Sequence, residues 1–232
     1  MRKQTTTWEE LNSKLDYYLS DEGDDSGDHT YTQAHRIASW NWSQRMLVWH
    51  TPRSVSMPLS VDTDERSAIL PPDFLGVWRI YDSDAQRWMT PMRSPQQGSV
   101  RYDDDELSQY WVWGGKLRFE RSVTINSGDI VLHYWAYWPE VEYTTDSEGE
   151  IVMTANEIVP PPWSILPLCH LTAANLLVPA AIQAARIRQW NIRVDSGNPL
   201  DNPRAQQARE HLYWWGTLLA MVPPKDWKAD QW

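Results

Sequence analysis

Four consecutive acidic residues stand beside aromatic residues in the segment RYDDDELSQYWVWGG, residues 101–115. A glycosidase needs two carboxyl groups, one to protonate the leaving oxygen and one to act across the sugar ring. The segment therefore raises a glycosidase or a carbohydrate-binding module as one hypothesis. Consecutive acids between two strands are more typical of a solvated turn, so we assign no catalytic residue. The residues concerned are Asp103, Asp104, Asp105, Glu106, Tyr110, Trp111 and Trp113.

A second acidic segment, residues 21–30, partly matches a calcium-binding EF-hand loop. Positions one, three, five, six and seven of such a loop would be Glu22, Asp24, Ser26, Gly27 and Asp28. The twelfth position, where an EF-hand places a bidentate carboxylate, is Gln33. We therefore predict a solvated loop without a metal ion.

The other reactive side chains show no spacing typical of catalysis or metal binding. The six histidines form no HxxxH or HxH pair, and no GxSxG, Walker A or GxGxxG pattern occurs. The single cysteine, Cys169, lies in an apolar stretch and is predicted to be a small buried side chain. The sequence predicts no enzyme activity, no metal and no cofactor.

The chain of 232 residues is acidic, with 31 Asp and Glu against 21 Lys and Arg and a formal net charge of −10. This charge opposes binding to nucleic-acid phosphates and to anionic membrane surfaces. The first residues, MRKQTTTWEEL, contain no apolar run typical of a signal peptide, and no apolar stretch reaches bilayer length. We expect a protein made in the cytoplasm that neither reads DNA nor enters a membrane.

Aromatic residues are the unusual part of the composition, with 16 Trp and 10 Tyr against 2 Phe. These rings combine a large apolar body with a polar tip, which protein interfaces and sugar-binding faces both favour. Composition does not decide between the two uses. The tryptophans are spread over helix-like and strand-like segments, so we do not expect them to form one platform.

Helical periodicity marks residues 1–53, which include the acidic loop. Thr7 and Glu10 form a capping box before apolar residues at helical spacing, which predicts a helix over about residues 7–20. A second helix is expected to end at Pro52. Its apolar residues occupy two faces, which indicates burial on both sides, with a neighbouring subunit as one possible cover.

The pattern changes over residues 54–142 to short segments rich in β-branched and aromatic residues, separated by turn-forming residues. This pattern predicts an antiparallel sheet or a barrel-like domain inserted between helices. Pro71 and Pro72 are expected to stiffen the crossing from the helical part. The following strand is expected to anchor the β domain to that part through Phe74, Trp78 and Tyr81.

Residues 143–222 are predicted to return to helices that complete a bundle with the N-terminal ones. The first of these helices contains Pro167, which a first turn tolerates, and Pro179, which is expected to bend it. The second begins at Pro203, with Asn202 as its cap. The predicted fold class is therefore α+β, a helical bundle with a middle β insertion.

Residues 223–232 are predicted to form a flexible tail because their composition is polar apart from prolines and two tryptophans. A tryptophan in such a segment adds nothing to a monomer's core, yet it can anchor a partner. We expect Trp227 and Trp232, which follow Pro223 and Pro224, to bind another protein.

Three segments in this order, after a helix that ends in WHTP, carry a resemblance to a known family. They are ILPPDFLGVWRIYD, SGDIVLHYWAYWPEV and EIVPPPWSILPLCHLTAANLL. Together they resemble the head-to-tail adaptor, or connector, proteins of tailed bacteriophages. The shared pattern is a helix pair, an "LP.DF" start of a strand, a "GD.I.L.Y" strand and a helix that opens on "P..W", and it spans about residues 5–220.

The resemblance implies a structural protein of the virion neck that forms a ring, typically of twelve copies, between the portal and the tail or its nozzle. In such proteins a helical bundle packs beside its neighbours, and a C-terminal segment reaches onto the portal. DNA would pass through the ring without specific binding, because an acidic channel repels phosphate. The expected portal contact is the tail with Trp227 and Trp232. The expected contacts between subunits are Trp40, Trp42, Trp49, Trp214 and Trp215.

Overall fold

The computed structural model describes residues 6–19, 30–91, 109–120, 129–155, 157–192 and 203–222. Within these ranges the chain forms four helices and twelve strands, and the predicted α+β class is confirmed. The helices are α1 (Trp8–Leu19), α2 (Gln33–Leu47), α3 (Pro162–Ile192) and α4 (Pro203–Ala220). The strands are β1 (Thr6–Thr7), β2 (Arg53–Pro58), β3 (Ser67–Ile69), β4 (Phe74–Asp82), β5 (Arg87–Trp88), β6 (Thr90–Pro91), β7 (Gln109–Trp113), β8 (Lys116–Phe119), β9 (Ile130–Ala136), β10 (Glu142–Thr145), β11 (Ile151–Ala155) and β12 (Glu157–Ile158).

The described residues divide into two units. The helical unit contains those up to Thr51 and those from Trp138 onward, and the β unit contains those within Pro52–Tyr137. The β unit is therefore inserted between α2 and α3. Each unit has its own cluster of buried apolar side chains.

Helix α1 forms because its apolar residues recur at helical spacing behind a cap. Trp8, Leu11 and Leu15 are all buried in the core of the helical unit. The capping box is confirmed, since the side chains of Thr7 and Glu10 each accept a hydrogen bond from the other residue's backbone N–H at 3.4 Å. The cap satisfies N–H groups that the first helical turn leaves unpaired.

Helix α2 buries one of its two apolar faces within the chain. Trp40 and Leu47 are fully buried, whereas Trp42 is 40% exposed and Trp49, just after the end of the helix, is 62% exposed. The inner face also holds the buried Arg36, whose guanidinium donates to Asp16 of α1. This pair balances the cost of placing a cation in the core. The second face, expected to be covered as well, is exposed in the single chain.

Small polar side chains join α2 to α3. Ser39 Oγ donates to the Thr172 carbonyl oxygen and Thr172 Oγ1 donates to Ser43 Oγ, each at 3.1 Å. Asn175 Nδ2 donates to Ser39 Oγ at 2.9 Å. Because Ser39, Ser43 and Thr172 are buried, these bonds are needed to satisfy their polar atoms. They fix the two helices side by side.

The start of the C-terminal part differs from the predicted helices. Residues 142–155 form a hairpin, β10 and β11, closed by a turn at Asp146–Glu150 in which Gly149 has φ of 89°. Ile151 and Met153 pack on the helical core, while the other side of the hairpin faces solvent. The prediction of helix throughout 143–222 is therefore wrong for this segment, because alternating Val, Thr and Ile residues around a glycine turn favour a hairpin.

Both C-terminal helices are present. Helix α3 continues through Pro179, and it begins at Pro162, so Pro167 lies in its second turn rather than its first. Helix α4 begins at Pro203, as predicted, and ends at Ala220, before the two prolines that follow. Proline suits the first helical position because the N–H that it lacks would be unpaired there.

The β unit consists of two four-stranded sheets. Their strand orders are β2-β9-β4-β5 and β3-β8-β7-β6, and the pairing is antiparallel except between β6 and β7. The described strands do not close into a barrel, so that part of the prediction is not met. The core contains Ile80, Leu117 and Leu132, which are fully buried.

Candidate functional site

The outer side of the sheet β2-β9-β4-β5 carries a cluster of large side chains that are exposed or partly exposed. Strand β9 alternates strictly, so that Leu132 and Tyr134 point into the core while His133 and Trp135 point outward. In β4 the register with β9 shifts between Val77 and Arg79. A β-bulge of this kind lets neighbouring residues leave the sheet on one side, and here Trp78 and Arg79 are both exposed. We call Trp78, Arg79, Trp88, His133 and Trp135 the aromatic face.

The side chains of the aromatic face contact one another. The indoles of Trp78 and Trp135 stack with centroids 5.5 Å apart, and the Trp88 ring lies 5.5 Å from His133. The Arg79 guanidinium carbon lies 5.6 Å from the Trp78 centroid and 5.5 Å from the Trp88 centroid. A guanidinium over two indoles is held in place by cation–π attraction. The face is therefore ordered before any partner binds.

Polar groups remain available on the aromatic face. In the described part of the chain, Arg79 has no hydrogen-bond partner and no carboxylate within ion-pair distance. His133 Nδ1 lies 2.6 Å from Ser56 Oγ of the neighbouring strand β2, which fixes its ring. Trp78 and Trp88 stay 47% and 51% exposed. Trp, Tyr and Arg are the residue types that most often carry the binding energy of protein interfaces.

The structure also brings together two histidines that lie 41 positions apart in the chain. His170 of α3 and His211 of α4 face each other with their Nδ1 atoms 2.9 Å apart. His211 Nε2 donates to the Tyr18 carbonyl oxygen of α1 at 3.2 Å, so its Nδ1 must accept from His170 when both rings are neutral. Burial lowers the pKa of both histidines, and the neighbouring His211 lowers that of His170 further. The pair links three helices in its neutral form.

Two further titratable groups have structural roles. The Cys169 thiol is buried, as predicted, and burial raises its pKa to about 12, which makes it a poor nucleophile at neutral pH. Burial and the hydrogen bond to Asp73 raise the pKa of Tyr134 to about 12. The Tyr134 hydroxyl donates to Asp73 Oδ1 at 3.0 Å, and Arg53 donates to Oδ2 of the same carboxylate. Asp73 thus ties the start of β4 to β2 and β9.

The predicted contact residues fall in different environments. Trp40 has no exposed surface because its ring fills the core of the helical unit, so the prediction that it contacts another subunit is corrected. Trp42, Trp49 and Trp214 are exposed, and Trp215 is half-buried against the helical core.

The predicted anchors of the β domain are also separated. Phe74 packs against the β core and stacks on Tyr134, with centroids 5.9 Å apart. Trp78 belongs to the aromatic face, and Tyr81 lies at its edge, 5.0 Å from the Trp88 ring. Their anchoring role stays a prediction.

Several predicted segments lie outside the described residues. These are most of the acidic loop at 21–30, the acids Asp103, Asp104, Asp105 and Glu106, and the tail residues Pro223, Pro224, Trp227 and Trp232.

Sequence reasoning missed the aromatic face and the histidine pair. The signal for the face was the alternation in HYWAYW, which places His133 and Trp135 on one side, but no local pattern reveals the bulge beside Trp78. The histidines left no signal, since their contact depends on how α3 and α4 pack.

The described residues contain neither a metal site nor a membrane-spanning helix. Within the described ranges, no three His, Cys, Asp or Glu side chains converge as a metal site would require. No helix in the same ranges is both long and apolar enough to cross a bilayer.

Comparison with known proteins adds no relative. No protein-family model matches the chain, and no curated protein sequence matches it.

Proposed function

We propose that the protein is a structural component of a tailed-phage virion, a head-to-tail adaptor that forms a ring between the portal and the tail or nozzle. The observation that carries this proposal is the exposure of large aromatic side chains on both units. Trp42, Trp49 and Trp214 lie on the helical unit, and Trp78 and Trp88 lie on the β unit. Exposed aromatic groups in several places fit a protein that contacts several neighbours at once.

Two more features support an adaptor. The order of helices, inserted β unit and helices agrees with the architecture that the sequence resemblance implies. The net charge of −10 suits a channel wall, because DNA phosphates would be repelled and would slide through. We place the protein in the neck of the particle, in about twelve copies, with closed ring symmetry.

The test is to co-express the chain with the portal protein of the same phage and to image the purified complexes by negative-stain microscopy. We expect rings of the chain on the portal. Replacing Trp42 and Trp49 by serine should lower ring occupancy, whereas the control Ile69→Ser, an exposed residue of β3, should not. A chain that neither binds the portal nor forms rings contradicts the proposal.

Carbohydrate binding is a second candidate, because two tryptophans of the aromatic face are exposed. Trp78 and Trp88 are exposed beside Arg79 and His133, and sugar sites combine aromatic rings with hydrogen-bonding groups in this way. A glycan array with the wild type and Trp88→Ala tests this candidate. Binding that the substitution abolishes would support it. Glycan turnover that is lost when Asp103–Glu106 are replaced by amides would support the glycosidase form of the hypothesis.

A further inference from the structure

The aromatic face carries a cation that the described part of the chain does not neutralise. Arg79 is exposed, is oriented by Trp78 and Trp88, and has no carboxylate partner there. A guanidinium held in this way offers a fork of N–H donors that matches a carboxylate. The face therefore fits a partner that presents an exposed carboxylate at the tip of a narrow element.

The chain itself contains such an element. The turn of the β10–β11 hairpin carries Asp146, Glu148 and Glu150, all exposed and without an ion pair in the described residues. Asp146 Oδ1 accepts hydrogen bonds from the backbone N–H groups of Glu148 at 2.9 Å and Glu150 at 2.8 Å. The turn is thus rigid, and it holds the Glu148 and Glu150 side chains outward. A rigid element loses little entropy when it binds.

We propose that the aromatic face of one copy binds the acidic hairpin turn of a second copy, with Arg79 paired to Glu148. This inference rests on the proposed function, and it names the two surfaces that would meet in the ring. The surfaces are different and belong to different units, so the contact is heterologous. Repetition of a heterologous contact generates a ring when the rotation between neighbouring copies closes.

The contacts within the aromatic face favour the acidic hairpin turn over a sugar as its partner. The stacked pair Trp78 and Trp135 and the guanidinium over Trp78 and Trp88 already use ring faces that a sugar would need. What the face offers instead is the Arg79 guanidinium, whose N–H groups donate to carboxylates. The charges are complementary, a cation on one surface and three acids on the other.

The experiment measures self-association of the full chain by analytical ultracentrifugation over a range of concentrations. Arg79→Glu and Glu148→Arg should each raise the dissociation constant by about 30-fold, because each change turns an attraction into a repulsion. The double variant, Arg79→Glu with Glu148→Arg, should recover to within about threefold of the wild type, as expected for a direct pair. Higher salt should weaken the wild-type association.

Matched controls carry the same charge changes elsewhere. Arg118→Glu lies on an exposed position of β8, and Glu157→Arg on an exposed position of β12. Both should associate like the wild type. Circular dichroism should show that all variants are folded.

Three results would overturn the inference. They are a wild type that stays monomeric at every concentration, a double variant no better than the single ones, and controls that lose association equally. If Arg79→Glu forms rings on the portal at wild-type occupancy, this inference fails while the proposed function stands. If, in contrast, the wild type forms no ring on the portal, the proposed function fails together with this inference.

Discussion

Acidification should destabilise the helical unit through the histidine pair. His170 and His211 share one hydrogen bond between their Nδ1 atoms, and His211 also donates to the Tyr18 carbonyl oxygen. The neutral pair can make both bonds, whereas two protonated rings would repel each other. Tyr18 and Trp214 pack against the rings, and the Glu210 carboxylate raises both histidine pKa values, against the larger effect of burial.

The direction of the two pKa shifts decides whether stability rises or falls with pH. Because the folded pKa values are lowered from the ordinary 6.5, the unfolded chain takes up protons first as the pH falls. Stability is therefore complete above about pH 6.5 and declines below it, until the pH has passed the folded pKa values. Each histidine can change the free energy of unfolding by at most about 1.4 kcal/mol per pH unit. Both side chains are partly exposed, so screening reduces the effect, and we expect a total loss of about 1 kcal/mol.

The assay is urea denaturation at several pH values between about 7.5 and 5.5, followed by far-UV circular dichroism. The double variant His170→Gln with His211→Gln should lose about 1 kcal/mol of this pH dependence. The control His35→Gln, at an exposed position at the start of α2, should keep the wild-type pH dependence. An unchanged pH dependence in the double variant would refute the argument, since other groups would then cause the decline.

Three further predictions concern the core, a buried network and the tail. Trp40→Ala should lower the free energy of unfolding by about 3–5 kcal/mol because it opens a cavity. Trp42→Ala, at an exposed position, should change it by less than about 1 kcal/mol. Equal effects of the two variants in urea denaturation would contradict the burial of Trp40. Tyr134→Phe should cost about 1.5 kcal/mol, since Asp73 loses a hydrogen bond, and a neutral result would mean that the bond adds no stability. Deleting residues 223–232 should leave the melting temperature nearly unchanged and abolish attachment to portal rings; early melting or full attachment would contradict the anchor.

Elements whose pattern is local could be predicted from the sequence. Helix α1 has its cap and apolar spacing within a dozen residues, and β9 alternates within seven, so both were predicted. The hairpin at 142–155 was not predicted, although its turn is also local. The residues that follow it have a helical composition, and the helix prediction was extended back over the hairpin. The strand pairing of the two sheets could not be predicted, since register depends on contacts between distant segments.

The candidate site was even harder to predict from the sequence, because it also depends on contacts between distant segments. Trp78 was predicted to be important, but as an internal anchor, because its strand reads as buried. The bulge beside Arg79 reverses that environment and turns two consecutive residues toward solvent. Trp88 contributes from a two-residue strand with no strong pattern of its own. A site assembled across three strands leaves only fragments of a signal in any one of them.

The two aromatic environments of α2 explain why tryptophan serves this chain better than phenylalanine at exposed positions. Trp40 fills the core, and its indole N–H has no partner among the described residues, so there it serves only as volume. Trp42, two residues later, faces solvent on the opposite side, where the N–H can bond to water in the free chain and to a carbonyl group in a complex. A phenylalanine at position 42 would expose apolar area without that polar group. Tryptophan therefore lets one helix supply core on one face and a wettable contact surface on the other.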